Sequence, residues 1–415
     1  MLMTSPTRAA AGSPVRHTSG TTLPSLTGLR WVAAFLVFGY HLRVIEYFAP
    51  GLGADLVSAV FRSGSVGVSF FFILSGFVLM WASPWTAYRR FWWRRFARVY
   101  PLHVATALAV LVFLLVCARD DLPSGPALAA NVGLVHAWVH DVAYYQSLNT
   151  VSWTLSCEAF FYLIFPLLAA GLSRLRIGGS VATAFGAWAV CLIGPAAGRL
   201  LFEPDSVGWF FHWTPVGRLP EFVCGIALAC VVRQARFPQP QHFTRFWYLA
   251  AGLTVGGYLL SAHVPVPYNV AACTMPGFGL LLVAAAMSDL QTHWTPWRHA
   301  VMVRLGELSF AFYLVHILVI RVLEVVIGYH PHLVDARAAG LAMLAFLLSL
   351  GAAWLLHVGV ERPFHRRLLC RRDGSARTPR QAGRSRAVGG DFGADGDCRT
   401  GADLASSSAL RAGAR

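Results

Sequence analysis

The amino-acid sequence predicts an all-α fold, a polytopic integral membrane helical bundle of about ten transmembrane helices with cytoplasmic N- and C-termini. Of the 415 residues, 56% are hydrophobic and only 13% are charged, compared with about 25% charged residues in an ordinary soluble domain. The mean hydropathy is +0.55. Apolar stretches of about 20 residues recur along the chain, long enough to cross a hydrocarbon layer about 30 Å thick. Spans of that length suit only a helical bundle.

Apolar runs bounded by Gly, Pro and charged residues predict the individual helices. They lie near residues 29–48, 64–83, 101–118, 151–171, 180–200, 216–233, 246–262, 271–288, 308–328 and 338–358. Residues 1–23 form a polar cytoplasmic segment, and the apolar stretch after it is too long for a signal-peptide core, so we expect a retained first helix. Residues 24–372 make up the membrane domain. Residues 373–415 contain almost no aromatic side chains and predict a disordered cytoplasmic tail.

Clusters of arginine set the predicted orientation. The net charge is +15, and the sequence contains no lysine. With a cytoplasmic N-terminus, arginines concentrate in the inner loops 89–98, 174–176, 233–245 and 298–304, while most outer connections carry Asp and Glu, as the positive-inside rule requires. These clusters do not form one basic face, so nucleic acid is not an expected partner. The eight cysteines lack C-x-x-C spacing, and neither a disulfide framework nor a metal site is indicated.

Ionisable residues within or beside the spans are candidates for function, because burying them in a bilayer is costly. They are Arg30, His41, Glu158, Glu221, His316 and Glu361. Arg30 and His41 are eleven positions apart, about three helical turns, so they share one face of the first helix about 16 Å apart. His41 and Glu158 each lie about seven residues from the outer end of a predicted span. We therefore expect them in one layer.

Each of these candidates also has a structural interpretation. A buried histidine is often a packing residue with satisfied hydrogen bonds, and Glu158 near a helix start favours the helix dipole. Glu221 and His316 suit either structural hydrogen bonding or contact with a substrate. Tyr313 shares one helix face with His316. Ser75 is most simply a small residue that allows close helix packing.

The predicted cytoplasmic loop 88–101 alternates arginines with aromatic residues. One interpretation is an anchor for lipid headgroups, because this composition suits the membrane interface. The other is a phosphate clamp, because paired guanidinium groups bind phosphate bidentately. The sequence leaves both open.

Six motifs in order resemble the acyltransferase 3 family of integral membrane acyltransferases, over roughly residues 24–372. They are Arg30 with His41 eleven residues later, the segment 67–77, Arg95-Phe-Ala-Arg98 followed by Tyr100-Pro101, Trp153-Thr-Leu-Ser-Cys-Glu158 followed by Phe161-Tyr162 and Pro166, the segment 305–316, and Val360-Glu361-Arg-Pro363. The sequence departs from the family pattern at Thr154, Cys157 and Phe310. These departures concern fine substrate contacts more than the reaction.

The resemblance implies a multi-pass O-acyltransferase of the bacterial plasma membrane. It implies transfer of an acyl group, acetyl by default, from cytoplasmic acyl-CoA to a hydroxyl. The implied acceptor is a carbohydrate or a glycosylated or secreted small molecule, and membrane lipid is the other expected partner. The donor is a substrate, and no bound cofactor is expected.

Carried onto this sequence, the resemblance implies a role for each candidate residue. His41 would act as general base on the acceptor hydroxyl, and Glu158 would orient its imidazole or stabilise the cation. Residues expected to bind acyl-CoA are Arg30, Arg95, Arg98 and Tyr100. Residues expected to bind the acceptor or support the structure are Glu221, Tyr313, His316, Ser75 and Glu361. Direct transfer and transfer through a covalent enzyme intermediate both stay open.

Two other classes of function stay open beside the enzyme. A transporter or exporter of an acylated or lipid-linked product would use the buried His and Glu as a proton relay. A non-catalytic scaffold would need neither His41 nor Glu158 once folded. His136 and Asp141 reproduce the H-x-x-x-x-D spacing of soluble glycerolipid acyltransferases, but they lie on the wrong side for a cytoplasmic donor, so we expect this match to be coincidental.

Overall fold

The computed structural model describes residues 22–82, 87–235 and 240–364, with backbone only at 240–242. Most of the predicted N-terminal segment and the whole predicted tail, residues 373–415, lie outside these ranges. The described residues belong to one compact unit. They form no β-strand, and an isolated bridge joins Phe48 to Leu333.

Fourteen α-helices occupy the described part of the chain. They are α1 (Pro24–Val44), α2 (Leu52–Phe61), α3 (Gly67–Ala82), α4 (Tyr88–Cys117), α5 (Gly125–Val132), α6 (Val142–Tyr145), α7 (Trp153–Leu172), α8 (Ile177–Gly198), α9 (Pro204–Trp213), α10 (Leu219–Gln234), α11 (Pro240–Ser261), α12 (Ala271–Leu290), α13 (Ala300–Ile327) and α14 (Asp335–Leu356). Each of the ten predicted spans corresponds to one of the longer helices. The short helices α2, α5, α6 and α9 lie in predicted outer connections.

The predicted all-α membrane fold is confirmed. Seven helical stretches of the described residues are long and apolar enough to cross a membrane, and they include all the longer helices except α1, α10 and α11. Helices α1 and α10 are interior, since α1 packs against α3, α12 and α13, and α10 against α3, α7, α8 and α12. Interior helices tolerate polar residues because they do not face lipid. The count of ten spans and the cytoplasmic termini stay predictions.

Contacts between helix ends agree with the predicted alternation of helix directions. At the end assigned to the cytoplasm, Arg233 of α10 donates a hydrogen bond to the backbone oxygen of Trp81 in α3, at 2.8 Å. At the opposite end, the hydroxyl of Tyr258 in α11 donates to the backbone oxygen of Val60 in α2. Each contact thus joins two helix ends that the predicted alternation assigns to the same side.

The predicted cytoplasmic loop 88–101 is wrong. These residues are the first half of the 30-residue helix α4, which continues through Pro101. A proline inside a helix removes one backbone hydrogen bond and usually kinks or ends the helix, but α4, which packs against α7 and α13, continues to Cys117. As a consequence, Arg95 and Arg98 lie on a helix face that points into the bundle.

The start of α1, which carries Arg30, is held by a side chain from another helix. The residue before α1, Leu23, offers no capping side chain. Instead, Asp289 at the end of α12 accepts hydrogen bonds from the backbone N–H of Ser25 at 2.8 Å and from its hydroxyl at 2.7 Å. The carboxylate also lies 3.4 Å from the guanidinium of Arg298. This satisfies a free N–H of the first turn and fixes α1 against α12.

Candidate active site

A cleft opens between α1, α3, α4, α7 and α13. Its polar lining residues are Arg30, Ser75, Arg95, Arg98, Thr154, Glu158, Tyr162 and Tyr313, and its apolar lining includes Val68, Phe71, Phe72, Val99 and Phe310. Most residues predicted for the site from separate stretches of sequence therefore meet in one cavity. An apolar cavity with a few converging polar groups is the usual form of a ligand site.

Three arginines give the cleft its positive charge. Arg95 and Arg98 are three positions apart on α4 and share one helix face, and Arg30 reaches the same cleft from α1. The buried Nε of Arg95 has no hydrogen-bond partner in the described part of the chain. Guanidinium groups grouped in this way suit a bidentate anion such as phosphate.

Glu158 lies among these arginines. Tyr162, one turn later on α7, donates a hydrogen bond from its hydroxyl to the carboxylate at 2.8 Å. Arg98, Arg30 and Arg95 are the charged neighbours of that carboxylate. Tyr162 is a lining residue that the sequence analysis did not select, although its i,i+4 spacing from a buried carboxylate was a usable signal.

His41 is paired with His316 and not with Glu158. The Nδ1 atom of His41 lies 3.1 Å from Nε2 of His316 and 2.9 Å from the backbone oxygen of Val37. The two rings have centroids 5.0 Å apart. In the described residues no hydrogen bond joins His41 to Glu158, whose carboxylate instead accepts one from Tyr162, so the expected contact between His41 and Glu158 is wrong.

The reason lies in how α7 begins. Equal depth for His41 and Glu158 would require each predicted span to start at the membrane surface. The residues before α7 are instead buried, with Asn149 1% exposed and Ser152 fully buried, and the Asn149 amide donates to the backbone oxygen of Leu314 at 2.7 Å. Helix α7 thus starts inside the protein, and Glu158 lies deeper than counting from the loop implied.

Tyr313 connects the cleft with the histidine pair. It lines the cleft, and its ring centroid lies 6.0 Å from that of His316. Its hydroxyl donates towards the backbone oxygen of Val151 and the hydroxyl of Thr154, each at 3.2 Å. His41 itself does not line the cleft.

The remaining predicted residues divide between the cleft and other places. Ser75 lines the cleft. Tyr100 does not: it stacks on Phe96, with centroids 4.6 Å apart, beside a separate groove between α4 and α7. Glu361 accepts a hydrogen bond from Nδ1 of His357 at 2.7 Å in the π-helical segment after α14, and its charge acts on Arg30.

Glu221 forms an interior ion pair with Arg218, a residue that was not predicted for the site. The guanidinium Nε of Arg218 lies 2.9 Å from its carboxylate, and these two side chains are 2% and 0% exposed. Arg218 also donates to the hydroxyl of Ser69 at 3.0 Å and lies over the rings of Phe72 and Trp153. The i,i+3 spacing of two opposite charges at a span start was the available signal. Neither member of the pair lines the cleft.

His136 and Asp141 do not form a catalytic pair. The Asp141 carboxylate accepts a hydrogen bond from the backbone N–H of Ala143 and caps α6. His136 lies 3.3 Å from the Ser152 hydroxyl, and burial lowers the pKa of His136 to about 4. Their spacing is coincidental, as the sequence analysis expected.

Comparison with known proteins adds a family to this geometry. The family model for acyltransferase 3, described as "Acyltransferase domain", matches residues 23–358. Acyltransferase MdmB of Streptomyces mycarofaciens is 37% identical over 373 residues, which cover 86% of this chain and 95% of MdmB. Peptidoglycan O-acetyltransferase OatA of Listeria monocytogenes is 29% identical over 160 residues, covering 35% of this chain and 24% of OatA. No solved structure matches.

Proposed function

Because the chain belongs to the acyltransferase 3 family, we propose that this membrane O-acyltransferase takes its acyl group from acyl-CoA and transfers it to a hydroxyl of a carbohydrate or of a glycosylated or secreted small molecule. One observation carries the choice of donor. Arg30, Arg95 and Arg98, from two different helices, line a single cleft. CoA carries several phosphate charges at one end, and a cluster of guanidinium groups is the chemistry that would hold them.

The thioester end of the donor would extend along the apolar wall of the cleft towards Tyr313. His41 would act there as general base, because imidazole exchanges protons near neutral pH. Its Nε2 would remove the proton of the acceptor hydroxyl while that oxygen attacks the thioester carbonyl carbon. The carbon–sulfur bond then breaks, and the CoA thiolate takes up a proton as it leaves. The products are the ester and free CoA.

In this arrangement Glu158 and Tyr162 act on the donor side. A carboxylate among three guanidinium groups reduces their mutual repulsion and orients them before the donor binds. We therefore assign Glu158 to the ordering of the arginine side chains. The acceptor class rests on the name of OatA, a peptidoglycan O-acetyltransferase, since peptidoglycan is a glycan with free hydroxyl groups. Acetyl is the proposed acyl group on the same ground.

A transporter with a histidine–glutamate proton relay is the competing function. A relay needs neighbouring members, whereas the described contacts of His41 run to His316 and those of Glu158 run to Tyr162. This geometry favours the enzyme.

The test uses the full chain in nanodiscs with acetyl-CoA labelled on the acetyl group. Release of CoA and label transfer to glycan acceptors are compared for wild type, His41→Ala and Arg98→Ala. Arg174→Ala is the matched control, because Arg174 is exposed and lies outside the cleft. We expect His41→Ala to bind CoA without turnover, Arg98→Ala to bind CoA at least about 10-fold more weakly, and Arg174→Ala to behave like wild type.

A wild-type protein that neither binds CoA nor releases it with any glycan tested contradicts the proposed function. Solute movement into vesicles that depends on His41 would then favour the transporter. Normal turnover by His41→Ala would remove His41 from the mechanism.

A further inference from the structure

The neighbour of the proposed base is a second histidine. His316 is fully buried and lies on α13, the helix packed most extensively against α1. Its ring stacks on Phe312, with an interplanar angle of 14°, and its Nε2 lies 3.1 Å from Nδ1 of His41. Among the described residues, no carboxylate forms a hydrogen bond or ion pair with either ring. Arg321, five residues after His316 on α13, is a charged group that acts on His41.

The backbone fixes where the ring protons lie. Nδ1 of His316 is 3.2 Å from the backbone oxygen of Phe312, and Nδ1 of His41 is 2.9 Å from that of Val37. A carbonyl oxygen only accepts hydrogen bonds, so both Nδ1 atoms carry the proton. In neutral His316 the lone pair is then on Nε2. The Nδ1–H of His41 is therefore shared between the Val37 oxygen and Nε2 of His316.

This assignment leaves Nε2 of His41 without a proton. No group in the described residues hydrogen-bonds that atom, so it is free to accept a hydroxyl. If His41 takes a proton on Nε2, its Nδ1–H is already directed at two acceptors. The pair can then share the positive charge, because the Nδ1 proton needs to cross only the N–H···N bond to reach His316. In hydrolase triads a carboxylate occupies this position.

Resting on the proposed function, we infer that His316 is a positioning residue that holds His41 in the tautomer with Nε2 unprotonated and accepts part of the charge formed during acyl transfer. This role depends on the hydrogen-bond acceptor Nε2 of His316 and not only on the size of its side chain. A residue that only filled space would be replaceable by any side chain of similar size.

Two substitutions separate these roles. In His316→Gln, the amide oxygen still offers an acceptor to Nδ1–H of His41, whereas His316→Leu fills the space without one. We expect His316→Leu to lower kcat about 100-fold, with CoA affinity and donor KM unchanged, and His316→Gln to recover activity to within about 10-fold of wild type. His103→Leu is the matched control, because His103 is also fully buried and bonds a backbone carbonyl. Its kcat per folded molecule should equal that of wild type.

A second readout does not depend on turnover. With 15N-labelled histidine, wild type should show a 15N–15N coupling across the hydrogen bond between the two rings, which His316→Gln removes. Absence of the coupling in wild type overturns the inference, as does wild-type kcat in His316→Leu or a His316→Gln variant as slow as His316→Leu. If the coupling is present but wild type releases no CoA, the proposed function fails and the positioning role falls with it, while the paired tautomers stand.

Discussion

Arg218 and Glu221 are charged side chains placed in the interior of a membrane bundle, and their energetics can be tested directly. Removing one partner leaves the other charge buried and alone, which costs about 3–5 kcal/mol. Arg218→Met should therefore lower the free energy of unfolding by about that amount, whereas Arg218→Met combined with Glu221→Leu should recover most of it. The measurement is chemical unfolding in detergent, arranged as a double-mutant cycle.

The single variants Arg218→Met and Glu221→Leu are the internal controls, since each should have a lower free energy of unfolding than the double variant. If the loss of unfolding free energy in the double variant equalled the sum of the losses in the two single variants, the pairing would be contradicted. An activity loss in the stable double variant would show that the pair also serves the reaction.

The sequence predicted single residues of the cleft better than their pairings. Arg30, Arg95, Arg98 and Glu158 were all selected, because a charge within an apolar span stands out. The pairing of charged side chains depends on how each helix is rotated and where it starts. Neither property is visible in a hydropathy pattern. That is why Glu158 was assigned to His41, and why His316 was left between two interpretations.

At the scale of elements, the contact between α3 and α10 depends on two glycines. A Cβ added to Gly76 would meet the backbone oxygen of Phe222, and one added to Gly225 would meet that of Ile73. These are backbone atoms, which cannot rotate away as a side chain does. Small residues allow helix backbones to approach closely in membranes, so this contact fixes the wall that carries Ser75.

Gly225→Ala should push α3 and α10 apart and lower the midpoint of thermal unfolding in detergent. The cost should be about 1–3 kcal/mol, typical of overpacking a tight interior. Gly186→Ala is the control, because a Cβ there meets nothing within 4 Å, and alanine in a helix interior should gain about 0.5–1 kcal/mol. Similar changes in both variants would contradict the close contact.

Helix existence followed from the sequence, whereas helix ends did not. All ten apolar runs became helices because a run of that length must satisfy its backbone within a bilayer. The segment 88–101 was assigned to a loop because its charges interrupt the apolar run. Long arginine side chains on one face of a helix such as α4 can instead line a cavity, and charge alone does not distinguish the two cases.

At the scale of the whole molecule, the arginine cleft and the histidine pair lie at different levels along the helices. Arg30 precedes His41 by eleven residues on α1, about 16 Å along the axis, and Tyr313 contacts both regions. A donor held at the arginines would therefore reach the histidines by its extended arm. This separation would allow donor and acceptor to enter from opposite sides of the membrane.

That division of sides rests on the predicted orientation, which cysteine labelling can test. In a background without native cysteines, Ser173→Cys lies after α7, at an end assigned to the cytoplasm, and Ser206→Cys lies in α9, at an end assigned to the outside. A membrane-impermeant maleimide should label Ser206→Cys in intact cells, and Ser173→Cys only after the cells are opened. Both side chains lie near helix ends, so they serve as each other's control. The reverse pattern would place the arginine cleft towards the outside, where acyl-CoA is absent, and would contradict the proposed donor.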